Sequence, residues 1–156
     1  MNIAGIVLAA GKGTRMKSEL PKVLHSVLGK KLIHYATEVI SDFDHKFVVV
    51  GHEADLVSNE LAEDFTPILQ SIQNGTGHAV ATVLENESFN RFNHEYVVVI
   101  PGDVPLINKD SLHQLIKEVK NKNASLGFFS SVSNNPFGYG RVVRDGESIS
   151  IVEEKD

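Results

Sequence analysis

The sequence predicts an α/β domain whose mainly parallel sheet is covered by helices on both faces. Three observations carry that reading. The apolar runs Ile3–Ala9, Phe47–Val50 and Tyr96–Ile100 are continuous rather than alternating, as strands buried on both faces are. Between them lie stretches with apolar residues at helical spacing, and regular strand–helix alternation is the pattern of βα units. The first run also passes directly into a glycine-rich turn, Ala10–Gly–Lys–Gly–Thr–Arg–Met16. Such a turn lets backbone N–H groups approach an anion closely.

Taken in order, Ile3–Ala9 is long enough for a buried strand and too short to span a membrane. Leu32, Tyr35, Ala36, Val39 and Ile40 predict a helix over about residues 31–41 with one buried face. Phe47–Val50 is a second strand, ended by Gly51. Leu56, Val57, Glu60 and Leu61 suggest a weaker amphipathic helix, and Pro67–Gln70 a short third strand. Ala79, Val80, Val83 and Leu84 give the apolar face of a helix opening at Gly75–Thr–Gly–His78. Tyr96–Ile100 is the strongest strand, ending at Pro101–Gly–Asp–Val–Pro105. Leu112, Leu115, Ile116 and Val119 mark a further helix starting near Asn108 or Lys109–Asp110, and Ala124–Ser131 reads as another strand. Ser133–Asn–Asn–Pro136 is a turn-rich break. After it, Arg141–Arg144 and Ser148–Val152 flank Asp145–Gly146 as a hairpin. Ligands of such sheets bind at the carboxyl ends of the strands, so the Gly11 loop, Gln70–Gly77 and Gly102–Asp103 should converge on one edge.

The 156 residues fit a single domain of ordinary soluble composition, 42% apolar and 22% charged. The absence of cysteine excludes disulfides, thiolate metal sites and cysteine nucleophiles. The opening residues carry no signal-peptide pattern, so the cytoplasm is the expected compartment. A net charge of −5 without a long basic stripe argues against nucleic acid as the main partner, and nothing points to a membrane.

Against that acidic balance, Lys12, Arg15, Lys17, Lys22, Lys30 and Lys31 cluster around one loop, which suggests an anionic ligand. The loop lacks the G-x-x-x-x-G-K-[ST] spacing of a P-loop, and Met16 stands where a dinucleotide fingerprint needs its third glycine. What remains, L-x-x-G-x-G-T-R-M over Leu8–Met16 followed by Pro21–Lys22, resembles the signature of sugar-nucleotide pyrophosphorylases. A solvated basic loop would explain the lysines but not the glycines, Arg15 and Pro21–Lys22 together.

Arginine holds phosphate oxygens bidentately and lysine is a compact point charge, so Arg15 and Lys22 suit complementary roles in phosphoryl transfer. The other lysines read as steering or solvated charges. Asp103, at a strand's carboxyl end, is placed to hold Mg²⁺, which takes one or two carboxylates plus substrate phosphates. The plain alternative is a turn aspartate before a proline. Gln70 and Gly75–Thr76 offer an amide, which can pair both ways with a uracil edge, a close backbone and a hydroxyl. Gln70 could equally be a surface strand residue. His78 reads as a packed or capping histidine, and the other six histidines show no metal-ligand spacing.

Together with Pro21–Lys–Val–Leu–His25, Gln73–Asn–Gly–Thr–Gly–His–Ala79, Gly102–Asp–Val–Pro–Leu106, Gly138–Tyr–Gly–Arg141 and Ile151–Val–Glu153, these segments resemble one family in particular. It is the uridylyltransferase domain of the bacterial bifunctional N-acetylglucosamine-1-phosphate uridylyltransferases/glucosamine-1-phosphate acetyltransferases, and the resemblance runs through essentially the whole chain. It implies a Rossmann-like fold of the nucleotide-diphospho-sugar transferase type. Leu8, Ala9, Ala10, Gly11 and Gly13 would line a UTP site, with the uracil against Ala10, Gly11, Gln70, Gly75 and Thr76. Arg15 and Lys22 would bind the triphosphate and stabilise the transition state. Asp103 would coordinate Mg²⁺, Gly102 would bind substrate, and Gly140 and Glu153 would hold the N-acetylglucosamine of N-acetylglucosamine-1-phosphate. The product would be UDP-N-acetylglucosamine, a precursor of bacterial cell-wall polysaccharide.

Two departures accompany the resemblance. Pro101 stands where the family often places a tyrosine or another side chain. The family's domain also continues beyond this chain, so residues 1–156 read as one C-terminally truncated nucleotidyltransferase domain. Its nucleotide-binding core would span about 1–131 and the start of its sugar-binding part about 132–156. Two activities fit that reading, an active uridylyltransferase and a non-catalytic UTP-binding remnant. Missing strands would expose a sheet edge and promote self-association.

Overall fold

The computed structural model describes residues 2–13, 16–146 and 148–153. It falls into two compact units, Met1–Leu112 and His113–Asp156. In the first, strand β1 (Ile3–Leu8) leads to a single 3₁₀ turn at Lys22–Leu24, then to a small hairpin of β2 (Ser26–Val27) and β3 (Lys30–Lys31). Helix α1 (Leu32–Val39), β4 (His45–Val50), α2 (Ala54–Ser58), β5 (Phe65–Leu69), α3 (Gly75–Leu84), α4 (Glu87–Asn90) and β6 (Tyr96–Pro101) follow. The main sheet has the order β5-β4-β1-β6. All three of its ladders are parallel.

The continuous apolar runs form strands because both faces are covered. On one face, Ala79 and Val83 of α3 belong to a buried cluster with Ala4, Ile6, Phe47, Val49 and Ile68. On the other, the chain leaving α1 lies so close to β1 that a Cβ on Gly5 would sit 2.6 Å from Ile40 Cδ1. Glycine at that position permits the approach. Helix α1 buries Leu32, Ile33, Ala36 and Val39, with Ile40 buried at its C-cap; of the predicted face Tyr35 is only part-buried, its hydroxyl donating to the Val27 carbonyl at 2.8 Å. The β2–β3 hairpin and α4 were not legible in the sequence: the first turns at Leu28 and Gly29, both at positive φ, and the second is capped by Asn86 Oδ1 on the Ser88 N–H.

The sheet's two edges differ. Strand β5 carries Pro67 at its centre, which removes a backbone donor and blunts that edge. Strand β6 pairs with β1 on one side, and Val97 and Val99 stay about two-fifths exposed at 41% and 42%.

Helix α5 (Lys109–Asn121) begins as the Asn108 carboxamide accepts from the Ser111 N–H at 3.1 Å. Lys109 binds Asp42 at 3.1 Å. In the second unit, Ala124–Ser131 is not a strand, contrary to the expectation from its apolar character. Its residues form no ladder; Gly127 lies against α5 instead, where an added Cβ would sit 2.4 Å from Val119 Cγ2. The predicted hairpin is present as β7 (Arg141–Asp145) and β8 (Ser148–Val152), antiparallel, with Gly146 at φ +60°.

Candidate functional site

In a parallel sheet the chain leaves every strand on the same side, so the segments after β1, β5 and β6 share one edge. Strand order places β4 and β5 to one side of β1 and β6 to the other. The crevice between the loops after β1 and β6 is therefore the topological switch point where such sheets take ligands. Backbone hydrogen bonds knit that edge: Ala9 N–H to the Val49 carbonyl at 2.8 Å, Gln70 N–H to Val50 at 2.8 Å, and Gly102 N–H to Leu8 at 2.9 Å.

A cavity of about 380 Å³ opens there. Its walls include Leu8 at the end of β1, Ala9, Ala10, Gly11 and Gly13 from the loop after it, Gln70 after β5, Gly75 and Thr76 in the first turn of α3, and Lys22 and Asp103. These ten residues, separated along the chain, were all singled out in the sequence. Gly102 supports the wall: a Cβ there would come 2.9 Å from the Leu8 carbonyl. Arg15 lies outside the described residues. Gly140 and Glu153 belong to the second unit, where the hairpin brings them together; a Cβ on Gly140 would lie 3.5 Å from Glu153 Oε1.

The glycines of the loop do different work. Gly13 sits at φ +61°, and a Cβ on it would meet Lys22 Cβ at 2.8 Å. It holds the loop against the stretch that carries the lysine. Around Gly11 nothing stands within 4 Å of where a Cβ would point, so the backbone there is open to an incoming group.

Lys22 Nζ lies 2.6 Å from Asp103 Oδ2, both side chains part-exposed at 43% and 31%. The remaining cations of the basic stretch sort themselves. Lys30 pairs with Glu38, and Lys31 with Glu60 at 2.6 Å. Hydrogen bonds from those lysines hold the Glu38 and Glu60 carboxyls below the usual carboxylate range. These two lysines are paired with carboxylates at part-exposed positions around α1 rather than standing as free charges. Among the described residues no group of three or more His, Asp or Glu side chains could hold a metal ion. Asp103 is the single carboxylate among the described residues of the cavity's wall, and one carboxylate fits a magnesium-like ion, which keeps waters and substrate oxygens as its other ligands.

Gln70 is not a surface residue: it is 3% exposed. Its Nε2 lies 3.3 Å from the Gly75 carbonyl and 2.9 Å from His78 Nδ1. His78, expected to be packed or capping, is solvent-exposed at α3 and bound through its ring to Gln70. Gln73, Val23, Ala79 and Pro101 also line the cavity and were missed as site residues. Ala79 carried a signal, since it lies about one helical turn beyond Thr76 on the same helix. Gln73 had none beyond its place in the motif.

A family model for the MobA-like NTP transferase domain matches residues 5–145. The chain belongs to this family. As a MobA-like NTP transferase it is 42% identical over 151 residues to the bifunctional protein GlmU of Fervidobacterium nodosum, covering 97% of this chain and 32% of that protein. It is 43% identical to GlmU of Clostridioides difficile, covering 100% of this chain and 34% of the relative. The chain thus spans about a third of the length of the curated relatives it matches, corresponding to their N-terminal part. Among solved structures, a Bacillus anthracis protein described as a glucose-1-phosphate thymidylyltransferase, in complex with sucrose, superimposes with a TM-score of 0.74 at 23% identity, over 99% of this chain and 65% of that one. Rv0371c of Mycobacterium tuberculosis in complex with manganese gives 0.57 at 22% identity, over 78% and 61%. These likenesses agree with the α/β nucleotidyltransferase fold expected from the sequence. No helix among the described residues is long and apolar enough to cross a membrane.

Proposed function

We propose that this chain carries the nucleotide-handling part of a uridylyltransferase that joins UTP and N-acetylglucosamine-1-phosphate into UDP-N-acetylglucosamine and pyrophosphate. The observation that carries the reading is the Lys22–Asp103 pair at 2.6 Å, set among glycine-loop residues and the buried amide of Gln70 in the wall of one cavity. A lysine for phosphate and a carboxylate for a divalent cation are the charges a nucleoside triphosphate with its metal needs. The likeness to GlmU over the whole chain supports uridine and the amino sugar as the particular substrates.

The reaction forms one P–O bond and breaks another. A phosphate oxygen of the sugar phosphate attacks the α-phosphorus of UTP in line, and the bond to the β-phosphate oxygen breaks to release pyrophosphate. The attacking phosphate is already anionic, so no general base is required. The chain's task is positioning and neutralisation of charge. Backbone N–H groups of the Ala10–Gly13 loop approach the phosphates, Lys22 neutralises the triphosphate, and Arg15 shares that role with its planar fork. Asp103 would hold Mg²⁺, which when bound offsets charge on the phosphate oxygens. Gly140 and Glu153, paired on the hairpin, would hold the sugar.

The test is pyrophosphate release from UTP, Mg²⁺ and N-acetylglucosamine-1-phosphate, with UTP binding followed by calorimetry. Turnover that disappears in Lys22→Ala, expected to fall about 100-fold or more, is the supporting result. Binding of UTP without turnover would leave the non-catalytic reading. Failure to bind UTP at all would overturn both.

A further inference from the structure

We propose that His78 is a positioning residue that fixes the carboxamide of Gln70 as a hydrogen-bond acceptor toward the base, and thereby sets which pyrimidine the site takes. The inference rests on the uridine-nucleotide reading above and adds a residue and a mechanism of selection to it.

A glutamine amide ends in two nearly isosteric groups of opposite character, an oxygen that only accepts and a nitrogen that only donates. Free to flip, it can serve either face of a base. Gln70 is not free to flip. The Gly75 carbonyl, 3.3 Å from one of its terminal atoms, can only accept, so that atom must be the nitrogen. The same nitrogen is 2.9 Å from His78 Nδ1. With its other hydrogen directed there, Nδ1 must carry a lone pair, and the ring proton sits on Nε2. The exposed ring leaves that Nε2–H to water.

Both amide hydrogens are then committed, and what Gln70 can still offer a ligand is its oxygen. Gln70 lines the cavity and is 3% exposed, so flipping it would set its oxygen against the Gly75 carbonyl and His78 Nδ1 and turn its donor away from both. An accepting oxygen matches the ring N3–H of uracil. It opposes cytosine, whose N3 carries a lone pair in the same place. The Gly75 bond is made to main chain and cannot be tuned, whereas the His78 bond is a side-chain choice. Helix α3 fixes where that choice is presented, and the Thr82 hydroxyl, donating to the His78 carbonyl at 2.8 Å, braces the same turn.

The experiment compares the 156-residue chain with His78→Phe, which keeps a ring and removes the acceptor, and His78→Asn. In His78→Asn the Oδ1 lies as many bonds from Cα as Nδ1 does and can accept in its place. Binding of UTP and of CTP is measured by calorimetry for each. The expected result is a preference for UTP that falls about 10-fold in H78F, mainly through weaker UTP binding, and returns in H78N. General damage to the helix would weaken both nucleotides alike and leave their ratio unmoved. UTP binding with an unchanged ratio in H78F overturns the role of His78 alone; absence of UTP binding by the unsubstituted chain overturns the functional reading and the selectivity with it. Nitrogen NMR of the ligand-free chain gives an independent check. The Nε2–H tautomer of His78 supports the arrangement, and a ring protonated on Nδ1 but not Nε2 overturns it.

Discussion

In Met1–Leu112 the residues at the cavity stand at the ends of buried parallel strands: Ile3 to Val7 of β1 are all buried, as are Phe47 to Val50 of β4. In His113–Asp156 the Gly140–Glu153 pair stands on a two-stranded hairpin in which every described residue of β8 is exposed. The first arrangement takes its precision from packing on both faces of a sheet. The second depends on one turn and one ladder, and an isolated hairpin of that kind is marginal in water. Substitutions should therefore divide cleanly between the two units, with nucleotide binding responding to one and sugar-dependent chemistry to the other.

The largest expected effect tests the weaker support. Gly146 turns the hairpin at φ +60°, where a β-branched residue is strained. On the proposed function, Gly146→Val should lower kcat/KM for the sugar phosphate about 100-fold through misplacement of Gly140 and Glu153, while UTP affinity stays unchanged. A parallel loss of UTP affinity would break the comparison.

The next effect lies within the first unit and contrasts two glycines. At Gly102 a Cβ would meet the Leu8 carbonyl at 2.9 Å and Val23 Cγ1 at 3.1 Å; at Gly11 it would meet nothing within 4 Å. Gly102→Ala should cost about 1–3 kcal/mol by denaturant unfolding through overpacking, whereas Gly11→Ala should stay within about 0.5 kcal/mol yet weaken UTP binding. Equal stability of the two variants would mean that the wall behind the cavity yields easily.

The smallest effect is a pH dependence at the opposite edge of the sheet. His94 lies among the rings of Phe89, Phe92 and His45. Burial, and then the neighbouring His45, push its pKa below the usual histidine range, with the Phe89 carbonyl and Asp44 opposing. The unfolded chain thus takes up a proton at about pH 6.5 that the folded chain takes up only at lower pH. This contribution to stability is complete above about pH 6.5 and is lost as pH falls below it. Unfolding midpoints of the first unit measured from about pH 7.5 to 5 should decline, and His94→Phe should flatten the decline. The lowered carboxyls of Glu38, Glu60 and Asp64 act only at lower pH, as their own range is approached.

Much of the fold was legible because it is written in local patterns. Unbroken apolar runs announced β1, β4 and β6, and helical spacing announced α1, α3 and α5. Ala124–Ser131 misled because β propensity does not supply a ladder partner, and Gly127 fits against Val119 instead. At the site, glycine spacing with Pro21–Lys22 and Asp103 was enough to name most of the cavity's walls.

By itself the sequence determined the alternation of strand and helix, the glycine-rich turn after the first strand and the family likeness. Each of these depends on residues close together in the chain or on a motif's order. Only the tertiary structure decided that Lys22 meets Asp103, that Lys30 and Lys31 are taken up by Glu38 and Glu60, and that Gln70 is buried and bound by His78. The first pairing depends on β1 and β6 standing side by side, and the others on how helices and loops pack beside the strands. A residue's chemistry says what it can bind, and its packed surroundings decide what remains for it to offer.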